Sequence, residues 1–353
     1  MVKPKKNIED LYRMRDNLSE SRYSKIRLDR NERTLEFNRD ILNQIKEKIT
    51  DEMLMIYPEP LPLYKKMAEF EKVKISNLLF NSGSDQSIKS IFETYIEDGD
   101  EIVLHEPSYA MYSVYAKMFG ATVKSINFEK DFSLDFDKMI SQITLKTKMV
   151  VIENPNGFLG VEQTEENLLK LIKECEKKNI LAVVDEAYFH FINTTMSKYI
   201  NSFQNLIVVR TFSKAIGLAS ARVGYIISNE TNISNLSKVK PMHELSQFAI
   251  NSSIVLLDNF DLVEKNIKET LKSLEFLKTE LNRLGLEYSN SVSNFLVAKL
   301  EIKNEEEFMS ELKENSILIR RNFSQEFLKD YRRIGVSDLE NMQNFINILE
   351  NNR

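Results

Sequence analysis

The chain has 353 residues, of which 42% are hydrophobic and 29% are charged, and its formal net charge is −5. This composition is typical of a globular protein with one large or two medium domains, and the charge disfavours nucleic acid or an anionic membrane as the main partner. The one cysteine, Cys175, excludes an intramolecular disulfide, and no apolar stretch has the length of a membrane span. Three scattered histidines show no metal-ligand spacing. We therefore expect a cytoplasmic protein with no metal site and no nucleic-acid or membrane partner.

The first 230 residues alternate between strand-like and helix-like segments. A polar stretch up to about residue 24 favours a helical arm or a mobile segment. Apolar runs predict strands at 77–81, 101–105, 122–128, 148–153, 180–184, 206–211 and 223–228. Helical spacing predicts helices at 38–49, 62–70, 86–95, 110–119, 136–143 and 165–178. This order predicts an α/β fold with a mostly parallel sheet of about seven strands and helices on both faces.

The pattern changes after about residue 245. A long charged helical stretch covers 246–284, and Gly285 ends it. Further strands are predicted at 294–300, 317–321 and 332–336, with helices at 304–314 and 338–351. These elements predict a second, smaller α+β unit. We expect an N-terminal arm at 1–45 that forms part of the small domain, a large domain at 46–250 and a C-terminal small domain at 251–353.

Polar loops follow several of the predicted strands, which is where open α/β sheets bind their ligands. The turn Ser82-Gly83-Ser84-Asp85 separates a strand from a helix, so its free backbone N–H groups predict an anion pocket. An ordinary helix cap is the alternative explanation for that turn. Four such loops indicate one location for a binding site.

Lys214 follows the strand at 206–211 and has apolar and hydroxyl neighbours, with Arg222 eight positions further on. Desolvation and a nearby cation lower the pKa of a lysine, which makes its amine a nucleophile for Schiff-base chemistry. The alternative is a lysine at a helix start that binds a phosphate or pairs with a carboxylate.

Five motifs together carry a family resemblance. They are Ser-Gly-Ser-Asp (82–85), Pro-Ser-Tyr (107–109), Asp-Glu-Ala-Tyr (185–188), Thr-Phe-Ser-Lys (211–214) and Ala-Arg-Val-Gly (221–224). In order, spacing and local structure the chain resembles the fold-type I pyridoxal-phosphate (PLP) enzymes, and within them the histidinol-phosphate aminotransferase-like group. The resemblance runs from about Tyr57 to Val336 and implies the PLP-dependent transferase fold.

The resemblance implies roles for residues at the cofactor ring. Lys214 would bond covalently to PLP and move a proton, and Asp185 would hold the ring nitrogen in its protonated form. Tyr188 would donate to the ring oxygen O3′, and Tyr109 would stack on the ring face. A core aromatic residue is the alternative for Tyr109, and a strand-end cap is the alternative for Asp185.

The resemblance also implies residues for the phosphate and the substrate. The cofactor phosphate would be held by Ser84, Asp85, Ser213 and Arg222. Tyr57 would reach the phosphate of a neighbouring subunit, which implies a homodimer, although packing against Pro58 is an alternative. Arg333 would bind the substrate carboxylate and Arg320 its phosphate. Neighbours Arg332 and Arg321 leave the register open, and solvated surface arginines are the alternative.

Two departures from the family pattern concern the substrate. Where the family has asparagine before proline, with the asparagine touching O3′, this chain has Gly157 and Phe158. Asn156 lies one residue early and would replace that asparagine only if the loop shifts. The N-terminal tyrosine pattern of histidinol-phosphate enzymes is also missing, since Tyr12 and Tyr23 are offset from it.

The resemblance implies an aminotransferase that moves an amino group between L-glutamate and a small phosphorylated carbonyl compound. The same arginines would also suit a PLP-dependent decarboxylase of a phospho-amino acid such as phosphoserine or phosphothreonine. A third hypothesis is a PLP-binding sensor domain without activity, but no basic helix-turn-helix extension is present to support it.

Overall fold

The computed structural model describes residues 2–12, 21–320, 323 and 325–353. Its strands are β1 (Ile26–Leu28), β2 (Leu78–Ser82), β3 (Glu101–Glu106), β4 (Thr122–Asn127), β5 (Thr147–Glu153), β6 (Leu181–Asp185), β7 (Leu206–Thr211), β8 (Val223–Ser228), β9 (Phe295–Lys299), β10 (Ile317–Ile319) and β11 (Tyr331–Gly335). Its α-helices are α1 (Arg39–Glu47), α2 (Asp51–Met55), α3 (Leu61–Glu71), α4 (Ser84–Tyr95), α5 (Met111–Phe119), α6 (Phe136–Ser141), α7 (Glu165–Lys177), α8 (Glu230–Ser237), α9 (Gln247–Asp258), α10 (Phe260–Arg283), α11 (Glu305–Glu314) and α12 (Leu339–Asn351).

The large sheet has seven strands in the order β2-β8-β7-β6-β5-β3-β4. All neighbouring pairs are parallel except β2–β8 and β7–β8, so β8 alone runs against the others. Every residue of β6 and β7 is buried, because helices cover both faces of the sheet. One face packs against the apolar sides of α4 and α5, and the other against that of α7. The predicted α/β fold with a mostly parallel seven-stranded sheet is confirmed.

A smaller α+β unit lies beyond the large sheet. Here β9 and β11 pair antiparallel, and β10 pairs in parallel with β1 from the start of the chain. Leu28 of β1 belongs to the same apolar cluster as residues of α10, α11 and α12. The N-terminal stretch therefore packs with the C-terminal unit. The proposed boundaries at residues 45 and 250 stay predictions.

The helical stretch predicted over 246–284 is not one helix. It divides at Asn259, where α9 ends and α10 begins. The Asn259 side chain donates to the carbonyl of Val255, 2.8 Å away, and to the side chain of Gln44, 3.0 Å away. An asparagine side chain that bonds backbone carbonyls competes with helix continuation, and periodicity alone does not reveal such a break.

None of the helices in the described ranges combines the length and the apolar character needed to cross a lipid bilayer.

Candidate active site

The candidate site lies where β5, β6 and β7 end, together with the start of α4. Glu153 and Asp185, the last residues of β5 and β6, are direct register partners. Lys214 follows the end of β7 by three residues. Because neighbouring parallel strands end at the same edge of the sheet, these three side chains are brought together from distant parts of the sequence.

Asp185 is only 5% exposed, and its carboxylate accepts two hydrogen bonds. The hydroxyl of Tyr112 donates to Oδ2 over 2.8 Å, and the backbone N–H of Ala187 donates to Oδ1 over 3.0 Å. Burial raises the pKa of Asp185 to about 6, although these bonds and the charge of Lys214 lower it. Because this carboxylate is buried, a cation that binds beside it in the site would stabilise its charged form.

The amine of Lys214 lies beside Tyr188. Its Nζ is 5.3 Å from the centre of the Tyr188 ring and donates to the backbone carbonyl of Arg30 over 3.3 Å. The Tyr188 hydroxyl accepts a hydrogen bond of 2.9 Å from the side chain of Asn31, which is fully buried. The segment around Arg30 and Asn31 therefore contacts both the amine and Tyr188.

An anion site, here called the phosphate cradle, consists of Gly83, Ser84, Arg222 and Gly224. Gly83, with φ of +84°, begins α4 without a side-chain cap, so the first N–H groups of the helix are open to a ligand. A side chain at Gly224 would lie 2.2 Å from the Ser84 nitrogen, and one at Gly83 would lie 2.3 Å from the Arg222 guanidinium. Gly224 is therefore required by close approach of the backbone, and Gly83 by its left-handed φ.

Arg222 has a left-handed backbone with φ of +56°, which is costly for a residue other than glycine. Its Nη1 donates to the Ser213 hydroxyl over 3.4 Å and to the carbonyl of Ala219 over 3.2 Å. No carboxylate in the described part of the chain lies within ion-pair distance of it. Its charge is thus available to an external anion.

Two further sequence-predicted residues lie beside the cradle. Asp85 is in the first turn of α4, and its Oδ1 accepts a hydrogen bond of 3.1 Å from Tyr115. Burial raises the pKa of the Tyr109 hydroxyl, and the charges of Asp85 and Asp185 raise it further. Tyr109, which is 41% exposed, is therefore within electrostatic range of both aspartates.

Arg333 and Arg320 lie next to each other on β11 and at the end of β10, where they form an isolated antiparallel bridge. Both guanidinium groups lie over the ring of Phe158, 5.4 Å and 5.0 Å from its centre. Arg333 is bonded to backbone carbonyls, that of Gly157 at 3.3 Å and that of Asp29 at 3.0 Å. Burial lowers the pKa of Arg333 to about 10 and also lowers that of Arg320.

The neighbours of these arginines differ from them. Arg332 forms an ion pair of 3.1 Å with Glu305, away from Arg333, as the alternation along a strand requires. Arg321 lies outside the described residues. Within those residues, neither Arg333 nor Arg320 has a carboxylate at ion-pair distance.

Two predicted site residues have other surroundings. Tyr57 is 76% exposed and stacks on His243 with 4.5 Å between the ring centres. Asn156 is fully buried, and its side chain is hydrogen-bonded to backbone groups. Its amide donates to the carbonyl of Pro107 over 3.0 Å, and its oxygen accepts from the N–H groups of Phe158 and Leu159. The side chain of Asn156 is thus already engaged.

Three residues near the site were not singled out from the sequence. They are Asn31, Tyr112 and Glu153. Asn31 belongs to an extended segment far from the motifs, and Tyr112 has the spacing of an ordinary core residue. Glu153 offers a usable signal, because a carboxylate at the end of an apolar strand is costly to bury without a function.

The described residues fit PLP. Asp185 supplies an acid for the ring nitrogen, and the unpaired Arg222 and open N-terminus of α4 supply a phosphate site. Lys214 supplies the amine between these ends. The buried Nε of Arg333 has no hydrogen-bond partner among the described residues.

Comparison with known proteins agrees with this site. The family described as aminotransferase class I and II matches residues 23–349. A histidinol-phosphate aminotransferase of Thermoanaerobacter pseudethanolicus is 34% identical over 328 residues, covering 92% of each chain. The structure of the enzyme of that name from Sinorhizobium meliloti, in complex with pyridoxal-5′-phosphate, has a TM-score of 0.82 at 19% identity and covers 92% of this chain and 90% of its own.

A decarboxylase has a similar fold. The L-threonine-O-3-phosphate decarboxylase of Porphyromonas gingivalis has a TM-score of 0.79 at 22% identity, with 92% of this chain and 98% of its own covered. At that identity the likeness concerns the fold. The sequence relationship extends over almost the whole chain and confirms the resemblance found in the motifs. The chain therefore belongs to the class I and II aminotransferases, and it is a PLP-dependent enzyme of the histidinol-phosphate aminotransferase-like group.

Proposed function

We propose that this aminotransferase moves an amino group between L-glutamate and a small phosphorylated carbonyl compound. The observation that carries the proposal is the pair Arg333 and Arg320, two adjacent cations without an acidic partner among the described residues. Two cations side by side match a substrate with two anionic groups, such as a carboxylate and a phosphate. The relatives named for histidinol phosphate make that compound and its keto form the first pair to test.

The roles of the site residues follow from their surroundings. PLP, when bound, supplies an electron-withdrawing ring that stabilises negative charge at the substrate α-carbon. The carboxylate of Asp185 would hold a proton at the ring nitrogen, which would sustain that effect. Lys214 Nζ would take the proton that leaves the α-carbon, and the nearby Tyr188 hydroxyl would donate to the ring oxygen. The phosphate cradle, with Ser213 and Asp85, would hold the cofactor phosphate.

Substrate recognition is assigned to the two arginines. Arg333 binds the α-carboxylate in a bidentate manner, since its guanidinium is already oriented by the carbonyls of Gly157 and Asp29. Arg320 binds the phosphate of the phosphorylated partner. Glutamate would use the same position for its second carboxylate, because both groups are anionic and small.

The proposal includes a homodimer in the cytoplasm. Tyr57 belongs to an exposed apolar surface, whose other members are Leu54, Met55, Ile56, Leu61 and Met242. Exposed apolar side chains that are grouped along the chain in this way are typical of a protein–protein interface. Tyr57 would extend from it to the phosphate of the second subunit. Sedimentation should then give twice the monomer mass, and Tyr57→Ala should weaken PLP binding.

The first experiment is an absorbance spectrum of the purified enzyme before and after addition of L-glutamate without an acceptor. We expect the band of protein-bound PLP to give way to the pyridoxamine form while 2-oxoglutarate appears. Imidazoleacetol phosphate and small keto-phosphates are then tried as acceptors. A band that glutamate leaves unchanged would contradict the donor assignment. Release of carbon dioxide from phosphothreonine or phosphoserine would instead establish the decarboxylase alternative, which the same arginines would serve.

A further inference from the structure

Gly157 is a glycine for reasons of space. Its φ lies outside the left-handed region, so its backbone conformation is open to other residues. A side-chain carbon at this position would lie 2.9 Å from Oε2 of Glu153 and 3.5 Å from Cε2 of Tyr188. The first distance is too short for two non-bonded atoms. The carboxyl of Glu153 therefore occupies the space that a side chain of residue 157 would enter.

Glu153 is held firmly in that space. It is 3% exposed, and each of its carboxyl oxygens accepts a backbone hydrogen bond. The N–H of Tyr109 donates to Oε1, and the N–H of Gly157 donates to Oε2 over 2.7 Å. Its own backbone N–H donates to Nε2 of the buried His105 over 3.0 Å. These contacts fix both the end of β5 and the carboxyl itself.

The contacts of Glu153 extend to the substrate arginine. The N–H of Gly157 donates to Glu153. The carbonyl of Gly157 accepts a hydrogen bond of 3.3 Å from Nη1 of Arg333. Tyr109, the other backbone donor, is the residue that the family resemblance places on the cofactor ring. The buried carboxyl of Glu153 thus links the backbone of Tyr109 to the loop of Gly157, which orients Arg333.

We propose that Glu153 is a positioning residue and that it forms a functional pair with Gly157. The Glu153 carboxyl fills the space of a side chain at position 157, where the family resemblance places an asparagine. It thereby sets the positions of Arg333 and Tyr109. This inference rests on the proposed function only through the carboxylate role of Arg333. The pairing of Glu153 with Gly157 is a property of the protein alone.

The charge state of Glu153 is compatible with this position. Its closest acidic neighbours are Asp185 on β6 and Glu106 on β3. Burial and the charge of Asp185 raise the pKa of Glu153 to about 8, while the two backbone N–H groups lower it. A carboxyl that keeps its proton at neutral pH lies beside Asp185 without the repulsion of two adjacent charges.

A double-mutant cycle tests the pair. The variants are Gly157→Ala, Glu153→Ala and the combination, each measured for PLP affinity by absorbance titration and for kcat and KM with glutamate. We expect Gly157→Ala to cost roughly tenfold in PLP affinity and in kcat/KM in the wild type, because Glu153 must move. In the Glu153→Ala background the added methyl group has room, so the same change should cost less than about twofold. Equal costs in the two backgrounds would overturn the pairing.

The positioning role is tested by how the loss divides between kcat and KM. Glu153→Ala should raise KM for glutamate more than it lowers kcat, because Arg333 loses its orientation. Glu153→Gln keeps the shape and one acceptor oxygen and should recover part of the loss. Glu101→Gln at the start of β3, at the end of that strand away from the site, is the control and should leave KM unchanged. An unchanged KM in Glu153→Ala would contradict the role.

The two proposals fail in different ways. A wild-type enzyme that does not transaminate glutamate would refute the proposed function, yet PLP affinity would still report whether Glu153 and Gly157 are coupled. Transamination with equal costs in the cycle would retain the function and refute the pairing. Thermal unfolding of each variant shows whether a loss reflects the site or the fold.

Discussion

Two buried arginines in this protein have opposite surroundings. Arg210 on β7, 1% exposed, donates to both carboxylate oxygens of Glu71 and to Glu186, at distances between 2.6 and 3.0 Å. Within the part of the chain that the structure describes, Arg333, 4% exposed, is bonded to backbone carbonyls alone, and its Nε has no partner. The carboxylates raise the pKa of Arg210, whereas burial lowers the pKa of Arg333 to about 10.

The difference separates an internal ion network from an anion-binding site. Burying a charge without a counter-ion is costly, so a protein retains such an arrangement where a ligand provides the missing charge. Arg210 lies four residues before Lys214 and needs no ligand. Arg222 and Arg320 are exposed, but like Arg333 they have no carboxylate partner in the described ranges. Exposure alone does not distinguish the two kinds of arginine; the partners do.

The largest effect is expected at the site's amine. Lys214→Ala should lower kcat by roughly 10⁴-fold or more, because it removes both the nucleophile and the group that moves the proton. The urea midpoint should stay near that of the wild type. Lys198→Ala, at an exposed ion pair with Glu165, serves as the control. Turnover at the wild-type rate would remove Lys214 from the mechanism.

The paired arginine should affect the fold rather than the chemistry. Arg210→Met leaves Glu71 and Glu186 buried without their cation, which should cost about 3–5 kcal/mol in the free energy of unfolding. Urea unfolding measures this loss. Arg332→Met, which breaks the more exposed pair with Glu305, should cost less than about 1 kcal/mol. Equal stabilities for the two variants would erase the distinction between the regions.

Substitution of the unpaired arginine, Arg333, should affect catalysis rather than stability. Arg333→Ala should lower kcat/KM for glutamate by roughly 10²-fold, since two charge-assisted hydrogen bonds to the carboxylate are lost. Arg333→Lys keeps the positive charge but loses the bidentate geometry of the guanidinium. Its kcat/KM should therefore lie between those of the wild type and Arg333→Ala. Stability should change little, or increase, because an unpaired buried charge is removed. A large loss in the free energy of unfolding with an unchanged KM would show that Arg333, like Arg210, has a structural role.

The smallest effect concerns pH. Glu153 has an ordinary pKa near 4.5 that rises to about 8 in the folded protein, so the folded form keeps a proton that the unfolded form releases. Its contribution to stability is therefore fully present below pH 4.5 and is lost as pH rises towards 8. Asp185 acts in the same direction only up to about pH 6.

The measurement is thermal unfolding of the PLP-free protein between pH 6 and 8. We expect the wild type to lose stability over this interval and Glu153→Gln to lose less. The neighbouring His105 does not interfere, since burial lowers its pKa to about 4. Of the other groups that face Glu153, Glu106 and Tyr112 are common to both proteins. Parallel pH curves would show that Glu153 is ionised throughout.

Sequence patterns predicted the large sheet closely, because each buried strand is a continuous apolar run such as 206–211. The motif residues Lys214, Asp185 and Arg222 were chosen through the family resemblance, and their roles stay predictions. The break at Asn259 and the pairing of β1 with β10 were not predicted, since both depend on contacts with distant segments. Glu153 was missed although its place at the end of an apolar strand was a signal in the sequence; its contacts with Gly157 and Tyr109 appear only in the structure.

The order of strands in the sheet has a consequence for synthesis of the chain. The phosphate cradle joins Ser84 to Gly224, and β2 lies at the sheet edge with β8 as its partner. A ribosome that adds roughly 5–20 residues per second makes Gly224 roughly ten seconds after Ser84. During that interval the apolar strand β2 has an unpaired edge, which is a hazard for aggregation. A nascent chain of this protein should therefore depend most on chaperones before β8 emerges, and fragments that end before residue 223 should be insoluble.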